Sequence, residues 1–229
     1  MISGLTFGNK IIQLDEVDST NSYLQKLIAE SNLIEGLVVQ AKSQPNGRGQ
    51  RGNDWDSEPF KNLTFSLLMK PNIAVNEQFM LSKVVALGLF DFLTSLNIEK
   101  VNVKWPNDVL VDGKKIAGVL IENALKQNKI GTAIVGIGLN VNQENFPTEI
   151  NATSLIKLLD KDVDINEVLL GLLACLERRY IMLKALNYNK INNDYLQHLL
   201  GYQTELIYQV KGEDVKGKIV GISSIGKLQ

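Results

Sequence analysis

Along the chain the spacing of apolar residues changes several times, and each change marks an element. Lys10-Ile11-Ile12-Gln13-Leu14 reads as a strand. Leu24, Leu27 and Ile28 then recur at helical spacing behind the capping residues Asp18-Ser19-Thr20-Asn21, so a helix begins there. A short apolar run from Gly36 to Lys42 precedes a glycine-rich loop. Leu63, Phe65, Leu67 and Met69 alternate with Thr64, Ser66 and Leu68, which predicts a strand with one face buried. Leu81, Val84, Val85, Leu89, Phe92, Leu93 and Leu96 mark a long core helix.

The next strand, Val101 to Lys104, is halted by Pro106. Val109-Leu110-Val111 and Ile116 to Ile121 flank Asp112-Gly113-Lys114, a strong hairpin signal. Lys115 therefore opens the returning strand, close to Asn107 and Asp108. A second hairpin turns near Gln127-Asn128 and returns through Gly131 to Asn142. From Ser154 to Leu200 the pattern is helical, with Leu169, Leu172, Leu173, Leu176 and Tyr180 on one face. Glu205 to Val210 and Val215 to Ile222 read as short strands. Consecutive hairpins imply a mixed, largely antiparallel sheet flanked by helices, an α/β fold of the α+β type. Residues 1–200 are expected to form the main domain and 201–229 a small β appendage, too short for an independent barrel and therefore leaning on the rest or incomplete.

A chain of 229 residues can bury a full core. Its formal net charge of −1 argues against a general nucleic-acid binder, so positive charge must be used locally. One cysteine, Cys175, excludes an internal disulfide, and with one histidine, His198, no zinc cluster is plausible. Cys175 lies in a leucine-rich helical stretch and reads as core. No signal-peptide pattern opens the chain and no uninterrupted apolar span reaches membrane length, so a cytoplasmic protein without membrane attachment is expected.

Gly47-Arg48-Gly49-Gln50-Arg51-Gly52 is a loop suited to an anion. Its glycines permit close backbone approach, and its guanidinium groups offer forked donors to carboxylate or phosphate. The spacing also satisfies G-x-G-x-x-G, but Asn53 to Pro59 follows instead of a helix, which argues against a dinucleotide site. Two further polar clusters end adjoining strands: Lys104 to Asp108 with Lys115, and Gly136 to Asn142. If the three converge, they supply cations, amides and backbone N–H groups but no nucleophile with its base. A fitting reaction is attack of a substrate carboxylate on the α-phosphate of ATP. At about 4 Å each unit-charge pair repels by roughly 4 kcal/mol at an effective dielectric near 20, so cations have a large barrier to offset. No Walker A sequence is present.

These motifs, in this order, resemble biotin protein ligase, also called biotin-[acetyl-CoA-carboxylase] ligase. The resemblance runs through Asp18-Ser19-Thr20-Asn21, Gln44 with Gly47 to Gly52 and Trp55, Lys104-Trp105-Pro106-Asn107-Asp108, Lys115-Ile116-Ala117-Gly118, and Gly136 to Asn142. It implies a catalytic domain related to class II aminoacyl-tRNA synthetases followed by a small SH3-like domain. It also implies a two-step reaction in which biotin and MgATP give biotinyl-5′-AMP and pyrophosphate, and a carrier-protein lysine then takes the biotinyl group. Carried over by position, Ser19, Thr20 and Gln44 resemble ligands of the biotin ureido ring, with Gly47 and Gly118 completing the biotin pocket. Arg48 resembles the residue that reaches the carboxylate or adenylate, and Lys115 the one that contacts carboxylate and α-phosphate. Arg48 and Lys115 are the implied catalytic pair. Arg51, Asn107, Asp108 and Asn140 resemble nucleotide-side contacts, with Asp108 near ATP or its magnesium; no metal ligands are otherwise implied. Trp105 and Leu139 read as packing residues.

Two departures stand out. Gln50 occupies a place where many relatives carry arginine, and the intermediate is expected to be held at least as tightly through Arg48 and Arg51. Regulatory relatives begin with a winged helix-turn-helix, for which the early Asp18-Ser19-Thr20 leaves no room, so DNA repression is not expected. The implied partner is a biotin carboxyl carrier protein domain of acetyl-CoA carboxylase or another biotin-dependent carboxylase, while pairing of protomers as a homodimer stays open. The alternatives are a lipoate ligase or lipoyl/octanoyl transferase of the same fold, and a non-catalytic biotin-binding regulator. Biotin-dependent pyrophosphate release separates all three.

Overall fold

The structure, a computed structural model, describes residues 7–52, 54–210 and 212–229. Strand β1 (Ile11–Glu16) leads through helix α1 (Thr20–Glu30) to β2 (Val38–Ser43), which pairs parallel with β1. The remaining strand-to-strand pairings of this sheet are antiparallel. They involve β3 (Leu63–Met69), the short β4 (Ile73–Ala74), β5 (Val101–Lys104), β6 (Asp108–Val111), β7 (Lys114–Lys126) and β8 (Lys129–Leu139). Together these eight strands make one sheet in the order β1-β2-β3-β8-β7-β6-β5, with β4 beside β8. The mixed, mostly antiparallel sheet expected from the hairpins is therefore present. Its parallel edge comes from the helical crossover between β1 and β2, which a hairpin-based reading does not detect.

Helices cover both faces. On one side α1 packs against β2, β3 and β8, burying Leu24 against Leu37, Val39, Leu68 and Ile134. On the other lie α2 (Phe79–Ser95), α4 (Ile165–Lys184) and α5 (Tyr188–His198), and the short α3 (Leu155–Leu159) follows β8 in the chain. For this reason β3, expected to bury one face, is buried at all seven positions. Helix α2 is apolar nearly all round because the sheet, α4 and α5 surround it. With its preceding turn it is long and apolar enough to cross a membrane, but 67% of its apolar 18-residue stretch is buried inside the protein. Arg179 on α4 ties these helices together through ion pairs at 2.6 Å to Asp91 of α2 and Asp194 of α5.

Cys175 is buried in α4, as its leucine-rich surroundings imply, and His198 stacks on Phe90 with ring centroids 3.7 Å apart. Among the described residues no group of three His, Cys, Asp or Glu side chains could hold a metal ion. Of the expected small β domain, the described residues form one antiparallel hairpin, β9 (Glu205–Val210) and β10 (Glu213–Lys218), followed by a tail that folds back on itself, with Ile222 bridged to Leu228. The tail leans on the main domain, where the Trp105 Nε1–H donates to the Gly226 carbonyl at 2.8 Å.

Candidate active site

The sheet face under α1 carries a cavity of about 290 Å³ whose floor is made by glycines. Gly118 on β7 pairs with Gly138 on β8, and Leu120 with Gly136. Period-two spacing puts Gly136 and Gly138 on the same face, leaving a strip of bare backbone beside α1. The indole of Trp55 fills part of this strip. A Cβ added at Gly138 would lie 2.2 Å from Trp55 Cε2, and one at Gly118 3.1 Å from Cζ3. The buried Trp55 Nε1–H has no partner among the described residues.

Trp55 arrives there because the glycine loop folds back on itself. Arg48 and Asp54 form an antiparallel bridge, and the Trp55 N–H donates to the Gly47 carbonyl at 2.8 Å. A Cβ at Gly47 would sit 2.5 Å from the Trp55 carbonyl oxygen, so closure of the loop requires glycine there. Gly47 itself does not line the cavity, whereas Arg48, Gly49 and Gln50 do. The Arg48 guanidinium reaches Ser22 Oγ at 2.8 Å and Glu122 Oε1 at 3.6 Å, across the cavity's rim. The Arg51 side chain lies outside the described residues.

At one end of the cavity stand Ser19, Thr20, Asn21 and Gln44. Ser19 is the N-cap of α1, accepting from Ser22 N–H at 3.4 Å, a long bond. The Thr20 N–H, an unpaired donor of the first helical turn, is taken instead by Gln44 Oε1 at 2.7 Å. The helix start is thus capped from within, while Ser19, Thr20 and Gln44 still line the cavity.

At the other end are Lys104, Asn107, Asp108 and Lys115. The hairpin places Lys115 Nζ 2.8 Å from Asp108 Oδ1 and 5.5 Å from the Trp55 ring centroid. Its backbone is clamped between the Asn151 carbonyl and the Thr153 N–H, each at 2.9 Å. Asn107 Nδ2 donates to the Val119 carbonyl at 3.0 Å, which leaves its oxygen as the end open to a ligand. Among the described residues the cavity therefore carries the cations Arg48, Lys104 and Lys115 against the carboxylates Asp54 and Asp108.

Of the residues singled out from sequence, Ser19, Thr20, Gln44, Arg48, Asn107, Asp108, Lys115 and Gly118 share this cavity. Asn140 does not line it. It is 4% exposed, its Nδ2 donates to the Thr153 carbonyl at 3.0 Å, and its N–H to the Ile116 carbonyl at 2.9 Å. Its place is under the Lys115 strand, where it braces the segment that clamps Lys115. Glu122, Asn21 and Gly138 stand at the site without having been given roles from sequence. The alternating glycines of Gly136-Ile137-Gly138 were the legible signal for the last of these.

Known proteins are similar to this chain in sequence and in fold. Residues 14–140 match the pattern described as the Biotin/lipoate A/B protein ligase family. The chain is 30% identical over 225 residues to the bifunctional ligase/repressor BirA of Bacillus subtilis (strain 168), covering 96% of this chain and 69% of that protein. It is 31% identical over 224 residues to the biotin–[acetyl-CoA-carboxylase] ligase of Mycobacterium tuberculosis, covering 94% of this chain and 82% of that one. Among solved structures, a biotin protein ligase from Aquifex aeolicus in complex with biotin and ATP matches with a TM-score of 0.79 at 33% identity. That match covers 96% of this chain and 90% of the other.

Proposed function

The chain belongs to the Biotin/lipoate A/B protein ligase family, and from that premise we infer that it is an ATP-dependent biotin protein ligase. It activates biotin to biotinyl-5′-AMP with release of pyrophosphate, then passes biotin to a lysine of a carrier protein. The observation that carries this reading is the meeting of two unlike ends in one cavity: hydroxyl and amide groups at Ser19, Thr20 and Gln44, and cations around Lys115. A neutral polar head with a carboxylate tail fits that polarity.

In the first step a biotin carboxylate oxygen forms a bond to the ATP α-phosphorus while the bond to the bridging oxygen breaks and pyrophosphate leaves. Ser19, Thr20 and Gln44 hold the ureido ring, and Gly118 and Gly138 let the Trp55 indole lie flat on the sheet as a wall of the biotin pocket. Lys115 neutralises the approaching carboxylate and α-phosphate. Each unit-charge repulsion is about 4 kcal/mol at about 4 Å and an effective dielectric near 20, so a preorganised ammonium lowers the barrier without reorganisation. Asp108 keeps that ammonium in place, and Asn107 offers an acceptor on the nucleotide side. Arg48 turns from Glu122 toward the adenylate, and with Arg51 retains it. Biotinyl-AMP lost no faster from Arg48→Ala than from the wild type would remove Arg48 from that role.

The cavity's carboxylates also suit magnesium, which is commonly held by one or two carboxylates with phosphate and water completing its shell. Asp108, with Asp54 at the rim, would hold it, and the bound ion would neutralise phosphate charge. In the second step the carrier lysine amine attacks the acyl carbon and AMP leaves. The carrier is a biotin carboxyl carrier domain of acetyl-CoA carboxylase or a related carboxylase, and residues 201–229 form a C-terminal lobe beside the site. Dependence on ATP as a co-substrate suits a cytoplasmic setting.

Calorimetric titration with biotin and then lipoate, in the presence of a non-hydrolysable ATP analogue, tests the reading. Biotin is expected to bind and lipoate to give no heat; the reverse would assign the chain to the lipoate branch of its family.

A further inference from the structure

Asn21 and Ser66 have no part in the steps above and Glu122 enters only as the resting partner of Arg48, yet the three form one hydrogen-bond chain at the base of the cavity. Asn21 is 3% exposed and Ser66 0%. The Asn21 side chain occupies the space left by Gly136, where a Cβ would sit 2.4 Å from Asn21 Oδ1. Gly136 on β8 pairs with Ser66 of β3 on one side and Leu120 of β7 on the other. Asn21 thus bridges three strands over a residue that has no side chain.

The direction of each proton follows from the ends of the chain. Asn21 Nδ2 lies 2.7 Å from Glu122 Oε2 and 3.4 Å from the Leu120 carbonyl oxygen. Both partners only accept, so the amide NH₂ faces them and Oδ1 faces Ser66. Ser66 Oγ is 2.5 Å from Asn21 Oδ1 and 2.8 Å from Thr20 Oγ1. The amide oxygen has no proton to give, so the Ser66 hydroxyl donates to it. Ser66 has no second proton, and the hydrogen between it and Thr20 comes from Thr20. Thr20 Oγ1 therefore meets the cavity with lone pairs alone. Gln44 is fixed in the opposite sense, because Oε1 accepts from the Thr20 N–H and leaves its NH₂ for a ligand. Ser19 Oγ accepts from Ser22 N–H and keeps its own proton.

We propose that Asn21, anchored by Glu122, acts through Ser66 as a positioning residue that fixes the Thr20 hydroxyl as an acceptor, selecting ligands with an N–H beside a carbonyl. The inference deepens the ligase reading and rests on it. A cyclic urea supplies that N–H next to its C=O; a dithiolane or alkyl chain supplies neither. Glu122 contributes as an acceptor for the Asn21 amide, a task its charge does not decide.

The test compares biotin with the two cyclic carbamates in which one or the other ureido N–H is replaced by a ring oxygen. Wild type is expected to bind at least one carbamate about tenfold to a hundredfold more weakly than biotin, because a ring oxygen would face the Thr20 lone pairs. Ser66→Ala frees the Thr20 hydroxyl to donate or accept, and the ratio should fall toward unity. Asn21→Leu should weaken biotin by about tenfold or more, because Ser66 then donates to Thr20 and turns its proton into the cavity. Adding Ser66→Ala to Asn21→Leu should restore biotin affinity, a rescue that loss of packing at Asn21 does not produce. Glu122→Gln, which keeps the acceptor, should retain the wild-type ratio. Biotin binding by the wild type with an unchanged ratio in Ser66→Ala would overturn this inference alone. Failure of the wild type to bind biotin would overturn the ligase reading and this inference with it.

Discussion

Lys115 Nζ lies 2.8 Å from Asp108 Oδ1 because the turn at Asp112 and Gly113, with φ of 48° and 76°, folds β7 back onto β6. Both turn residues have positive φ, as a two-residue hairpin turn of the primed type requires. The ion pair holds an ammonium at the cavity's anionic end before any ligand arrives. Lys115→Ala should lower biotin-dependent pyrophosphate release by about a hundredfold to a thousandfold. Biotin affinity should change far less, since the ureido end is untouched. Single-turnover kinetics beside calorimetry would show the split, and full activity in the variant would take Lys115 out of the chemistry.

Gly138→Ala places a methyl group 2.2 Å from the Trp55 ring, a contact that neither can relieve without moving the indole off the sheet. The expected result is weaker biotin binding and a red-shifted Trp55 emission, read in a Trp105→Phe background to isolate the signal. An unshifted spectrum with wild-type affinity would mean that the indole does not rest on that glycine pair.

How far the sequence was legible depends on the distance along the chain over which each feature is specified. The Lys115–Asp108 pair could be anticipated because Asp112-Gly113 sets a hairpin locally. The convergence of Ser19, Gln44 and Arg48 on that pair came from ordered motifs. The Asn21–Ser66 contact could not be read, since it depends on the β3–β8–β7 register and on the bare backbone at Gly136. Asn140 shows the converse. The resemblance implied a nucleotide-side contact for it, while the fold uses its amide to satisfy the buried Thr153 carbonyl, a demand visible only once the segment after β8 is in place. A mixed sheet was expected, but that its parallel pair is the β1–β2 edge was not specified, because helical crossovers leave no turn signature.

Besides the packing of Ile219, Ile222 and Leu228 on the core, the C-terminal tail has one contact that can be cut selectively. Gly226 has φ of +87° and a Cβ there would lie 2.5 Å from Phe79 Cδ2, so Gly226→Ala is strained in backbone and in packing. Trp105→Phe removes the 2.8 Å bond to the same residue's carbonyl and should cost about 0.5–1.5 kcal/mol. Both variants should raise hydrogen exchange across 219–229, Gly226→Ala more strongly. Unchanged protection would show that the tail docks by other contacts.

Lys83 on α2 is 5% exposed, with its ammonium 2.6 Å from Asn192 Oδ1 and 5.6 Å and 5.8 Å from the Phe79 and Tyr195 ring centroids. Burial pulls its pKa below the usual lysine range. At neutral pH both folded and unfolded states hold the proton, and the cost of burying the charge is fully present. As pH rises past the lowered pKa the folded state releases its proton first, so wild-type stability should climb relative to Lys83→Met until the ordinary lysine range is reached. At pH 7 Lys83→Met should be stabilising or neutral within about 1 kcal/mol. Thermal unfolding of both proteins from pH 7 to 10 checks the sign, and a gap that widens in favour of Lys83→Met with rising pH would contradict it.

Exchange of labelled pyrophosphate into ATP, measured with biotin, with lipoate and without either acid, addresses the ligase assignment most directly. Exchange is expected with biotin and at background level with lipoate or no acid. Background exchange with biotin under conditions where the acid demonstrably binds would leave a biotin-binding protein that forms no adenylate.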